Sequence, residues 1–186
     1  MLKRMWIVGM FISLMALFSG CSPFIKADML LARSDYRGAI ELYAKYLADH
    51  PDNMDATGNL GFAYFKAGML DQAAEAFELT LEGVPRQPFS TLYLGATYLE
   101  QRRLMPAVTI WEEYRDRERP EVEREIRRQI ALLKAAARGA ESGRLTVQEI
   151  ATQMKRSVEK VEATWYDAEI RISIEGSGLT GGNQGG

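Results

Sequence analysis

Apolar residues recur at three- and four-residue spacing through most of this chain, which is the period of an amphipathic helix. Ala73, Ala76, Phe77, Thr80 and Leu81 form one such stripe. Val122, Ile126, Ile130, Leu133 and Ala137 form another. Glu121, Glu123 and Glu125 lie in its first turns, where a helix favours anions, and it is backed by Arg124, Arg127 and Arg128 on a solvated face. A third stripe, Val147, Ile150, Ala151, Met154, Val158, Val161 and Trp165, follows Thr146-Val147-Gln148-Glu149, the signature of a capping box. The period then changes. Ile170, Ile172 and Ile174 alternate with Arg171, Ser173 and Glu175, as in a strand, although no second strand is evident to pair with them. That segment has three options: to lie extended on the body, to continue the helix, or to add to a partner's sheet. Gly176 to Gly186 is glycine-rich and reads as disordered.

The helical pattern repeats. Leu60, Gly61, Tyr64, Ala73 and Phe77 return thirty-four residues later as Leu94, Gly95, Tyr98, Ala107 and Trp111. One period earlier stand Ala27, Leu30, Tyr36, Ala39, Tyr43 and Pro51. This pattern resembles the tetratricopeptide repeat (TPR) family, with its 34-residue period and its L-G-x₂-Y…A-x₃-F…P motif. The resemblance implies an all-α fold: a right-handed superhelix of about three TPR helical hairpins with C-terminal capping helices. Small Gly61 and Ala73 let paired backbones approach, and Tyr64, Leu70 and Phe77 fill the space around them. Pro51, Pro85 and, one residue late, Pro120 close the second helix of each copy. Asp35-Tyr36-Arg37-Gly38 and Ala67 to Asp71 mark the tight turns, with Arg102 replacing the turn glycine of the third copy. The expected organisation is a signal at 1–20, a TPR array with a truncated first copy at 21–120, a capping helix at 121–141, an amphipathic helix at 142–167 and an extended or disordered tail at 168–186.

In the family, the first helices of the copies line a concave wall that binds a peptide or helix. By correspondence this wall carries Asp55, Asn59, Phe62, Phe65 and Lys66 from the middle copy, and Phe89, Leu92, Tyr93 and Ala96 from the third. It is aromatic, so a ligand held there should be anchored by apolar groups. Relatives that hold a peptide carboxylate use several Lys, Arg and Asn. Only Asn59 matches that set, and Phe89 and Tyr93 stand where basic residues belong, so that function is rejected. The stripe at 147–165 competes for the same wall: it can pack back on the superhelix, pair with a second copy, or dock a partner.

The first residues change the picture. Lys3 and Arg4 precede an apolar run from Met5 to Gly20, the layout of a secretory signal. As a helix that run is about 24 Å long, short for a hydrocarbon core of ~30 Å. It ends in Leu17-Phe18-Ser19-Gly20-Cys21-Ser22, which resembles a bacterial lipoprotein signal with its lipobox. The resemblance implies cleavage before Cys21, a covalent lipid on its sulfur (including palmitate), and a membrane anchor. With Ser22 in place of a retention Asp, it implies an outer membrane, the protein facing the periplasm.

Composition excludes much else. Without Lys3 and Arg4 the formal net charge moves from −2 to −4, which offers no nucleic-acid surface. His50 and Cys21 are the only residues of their types, so no zinc set or Cys–His pair can be built, and no metal, cofactor or catalytic residue is expected. The expected function is a non-enzymatic adaptor that binds an unidentified protein or peptide during assembly of an envelope complex of the pilus, secretion or outer-membrane type. The alternative is a self-associating structural lipoprotein, a homodimer through residues 146–165.

Overall fold

The computed structural model describes residues 22–176, and among these the chain is eight helices and their turns. Three antiparallel hairpins come first: α1 (Pro23–Ala32) with α2 (Tyr36–Asp49), α3 (Met54–Lys66) with α4 (Leu70–Gly83), and α5 (Pro88–Glu100) with α6 (Leu104–Glu112). They stack as a superhelix. A longer hairpin, α7 (Pro120–Glu141) and α8 (Val147–Gly176), closes the C-terminal side. The all-α architecture of stacked TPR-like hairpins with C-terminal capping helices is the one expected.

The repeat is legible in the backbone. Each hairpin turns on a residue in the left-handed region, and these residues are one period apart: Ser34 at φ 61°, Gly68 at φ 75° and Arg102 at φ 63°. Helix starts are capped by local side chains. Asp35 accepts from the Gly38 amide at 3.1 Å, Asn53 from Ala56 at 2.9 Å and Gln87 from Ser90 at 2.6 Å. Gly38 therefore belongs inside α2 and not to a turn; a Cβ there would press on the Asp35 carboxylate and on Leu30. Pro120 also differs from expectation. It opens α7 at its first position, where a missing amide hydrogen does no harm, while α6 ends at Glu112.

Two apolar clusters share α3. Its Ala56 and Ala63 pack with Ala27, Ala39 and Tyr43 of the first hairpin. Its Phe65 belongs to a larger cluster that runs through Phe77, Tyr93, Trp111 and Ile126 to Val158, Val161 and Trp165. Each hairpin thus buries its face on the next, as in other repeat stacks.

From Met154 onward the third stripe is spent internally, while Val147 at its start is exposed. Met154, Val158, Val161, Trp165 and Ala168 are all buried against the body, so they cannot also pair with a second copy. The expectation of self-association through this face is therefore corrected. Residues 168–176, expected to be extended or disordered, continue α8 instead. Ala168 is buried, and Glu169 and Arg171 form ion pairs with Arg119 and Glu121 at the start of α7, which holds the added turns in helical register.

Candidate functional site

The inner wall is built by α1, α3 and α5, and α8 lies along part of it. One end of α8 (Gln148, Ala151, Thr152, Lys155) shares a small cavity with Leu99, Glu100 and Arg102 at the end of α5. Near its other end, the Trp165 ring lies 5.8 Å from Phe89 at the start of α5. Hence α8 runs antiparallel to α5. Of the expected wall residues in the third copy, Leu92, Tyr93 and Ala96 are fully buried in this packing, and Phe89 is half-buried. In the middle copy, Phe65 is buried, Asn59, Phe62 and Lys66 are half-buried and Asp55 is exposed. The wall is thus closed over α5 and open over α1 and α3.

An aromatic cluster joins the two parts. The Tyr93 ring lies 4.7 Å from Phe62, 5.5 Å from Phe65 and 4.8 Å from Phe89, mostly edge to face. Its hydroxyl is buried with no hydrogen-bond partner. Burial first, and then Glu162 and Tyr166 beside it on α8, push its pKa well up, so this group stays neutral. Lys66 bridges α3 and α8, bonding Glu162 at 3.4 Å while its ammonium stands 5.8 Å from the Phe62 ring centre.

A second set of contacts fastens α8 from the far side. Arg119 stacks its guanidinium over Trp165 at 4.4 Å, bonds Asp116 at 3.1 Å and pairs with Glu169. Asp116 is itself buried, and it accepts the Tyr114 hydroxyl and the amides of Glu118 and Arg119. Sequence reasoning missed Asp116, Arg119 and Glu162. The α8 partner of Arg119 and the α3 partner of Glu162 lie far along the chain, whereas those of Asp116 are local, in a loop with no helical period to flag them.

At the open end, Asp28 of α1 accepts hydrogen bonds from the Tyr43 hydroxyl and, at 3.3 Å, from Asn59 of α3. Here burial, followed by the Asp28 carboxylate, drives the tyrosine pKa upward. Among the described residues, no group of three or more His, Cys, Asp or Glu is placed to hold a metal ion.

Residues 30–89, the stretch from the end of α1 to the start of α5, match the tetratricopeptide repeat family model. Among solved structures, the chain is similar to the TPR domain of Sgt2 from Aspergillus fumigatus, at 20% identity with a TM-score of 0.48, over 88% of this chain and 85% of that one. No match is found among curated proteins.

The expected membrane attachment and outer-membrane location are corrected at this point. No helix among the described residues is long and apolar enough to cross a membrane. The signal at 1–20 and the covalent lipid on Cys21 lie outside the described residues. Signal peptide, palmitate, membrane attachment through a lipid anchor, and a place in the outer membrane facing the periplasm all rested on that short segment, and they are not carried further.

Proposed function

We propose that this protein is an adaptor that holds a segment of another polypeptide against the inner faces of α1 and α3. One observation carries the reading. With α8 seated along α5, Asn59, Phe62 and Lys66 remain half-buried and Asp55 exposed, while Phe65, Leu92, Tyr93 and Ala96 are core and Phe89 is half-buried beside Trp165. A half-buried phenylalanine beside polar groups is the surface on which a bound side chain gains apolar contact and orientation together.

Crosslinking capture with the full chain tests this. Phe62→Ala should lower partner recovery, with far-UV dichroism unchanged. Leu79→Ala, at an exposed position on α4, should leave recovery as it was. Equal recovery by all three proteins rejects the inner wall as the site.

A further inference from the structure

Three features meet at the open end of the wall. The first is a carboxylate in want of a counter-charge. Asp28 is half-buried and oriented by two donors, the Tyr43 hydroxyl and Asn59, yet among the described residues it forms no ion pair. Exposed Asp55, at the start of the same α3, likewise forms none. The cation on the nearby wall, Lys66, is already committed to Glu162.

The second feature is an apolar flank. Glu162, Tyr166 and Ile170 are four residues apart, so they share one face of α8. That face meets α3 at the Lys66–Glu162 bond. Because α8 is antiparallel to α5, and α5 repeats the direction of α3, the face continues from Lys66 back toward Phe62, Asn59 and Asp55. Tyr166 is 43% exposed and Ile170 is 59% exposed. On α1, Ile25, one turn before Asp28, is 46% exposed. The third feature is the buried Tyr93 hydroxyl at the edge of the α8 flank, with Glu162 and Tyr166 beside it.

A cleft with apolar sides and uncompensated carboxylates selects against anionic and purely apolar segments. The former meet like charge. The latter leave Asp28 to lose its water without compensation, which is costly. We propose that this cleft takes a protein segment that sets one arginine or lysine on Asp28, with apolar side chains against Phe62 on one flank and Tyr166 and Ile170 on the other. The proposal rests on the reading that the inner wall holds a polypeptide, and it specifies the chemistry of that polypeptide. It reverses the charge sense of carboxylate-holding TPR walls.

The test is selection of a random-peptide display library on the immobilised full chain, followed by fluorescence anisotropy with the selected peptides. Expected peptides carry Arg or Lys flanked by aliphatic or aromatic residues. Exchanging that cation for Gln, or Asp28→Asn in the protein, should weaken binding about tenfold or more, the scale of a hydrogen bond to a charged group. Asp55→Asn, which touches no core contact, should weaken binding less, and added salt should weaken it further. Peptides that require Phe62 but lack a cation, or that bind Asp28→Asn as well as the parent, overturn this inference and leave the adaptor reading intact. Peptides indifferent to Phe62→Ala, or no selected peptide at all, overturn both.

Discussion

Gly95 lies directly against the indole of Trp111: a Cβ added to it would come within 2.2 Å of both Cδ1 and Nε1 of that ring. The same indole donates through Nε1 to the Leu92 carbonyl at 2.9 Å, so it cannot swing aside without losing a buried hydrogen bond. One period earlier, Gly61 faces the smaller ring of Phe77, with a nearest approach of 3.0 Å.

The two glycines should therefore respond differently to alanine. Gly95→Ala forces the tryptophan out of place and should destabilise the fold by about 1–3 kcal/mol, the usual range for overpacking. Gly61→Ala needs only a few tenths of an ångström from Phe77, and its gain in helix propensity offsets part of the strain. Thermal denaturation of both variants checks the order; a Gly95→Ala midpoint at or above that of Gly61→Ala refutes it.

Trp165 is 6% exposed and lies between Phe89 and Arg119, so Trp165→Ala opens a large cavity under α8. The expected loss is about 3–5 kcal/mol by urea unfolding. Faster amide exchange should appear in α8 before it appears in α3 and α4. If the first protection lost were in α3, α8 would not be the element that the tryptophan holds.

Arg102 adopts a left-handed backbone in the third turn, where the middle copy has Gly68. For an L-residue that conformation costs about 1–2 kcal/mol. Arg102→Gly should thus be neutral or raise stability by up to about 1 kcal/mol, because glycine also frees the unfolded chain. A clear fall in melting temperature would show that the arginine side chain contributes more than its backbone strain removes.

Burial and the Glu78 carboxylate push the Tyr98 pKa up to about 12, and the hydroxyl donates to Glu78 at 2.5 Å. An unfolded tyrosine titrates near ~10. The folded state therefore holds its proton where the unfolded state releases it. This stabilisation is complete below about pH 10 and drains away as the pH rises toward about 12. Urea midpoints should be flat up to about pH 9 and then fall, and Tyr98→Phe should fall less steeply. Parallel curves for the two proteins would assign the loss to other groups.

Much of the fold was open to a reader of the sequence because it depends on neighbours. The period that aligns Gly61 with Gly95 also aligns Phe77 with Trp111, and small-against-large packing needs only those paired positions. The capping box was legible for the same reason. Thr146 and Glu149 lie within one turn, and each accepts from the other's amide, at 2.7 and 3.2 Å. The tail was not so plain. The alternation of Ile170 and Ile172 has the period of a strand, but the buried Ala168 and the ion pairs of Glu169 and Arg171 with α7 keep it helical.

The wall shows where local reading ends. The sequence by itself determined the stacked hairpins and placed Phe62, Phe89 and Tyr93 on their inner side, since helical period and repeat length act over a few turns. Which of these residues face solvent was decided only by tertiary structure. Lys66 and Glu162 are 96 residues apart. The course of α8 is set by apolar burial, which has no direction along the chain. The protein closes the part of its wall that α8 can reach and leaves the inner faces of the first two hairpins open.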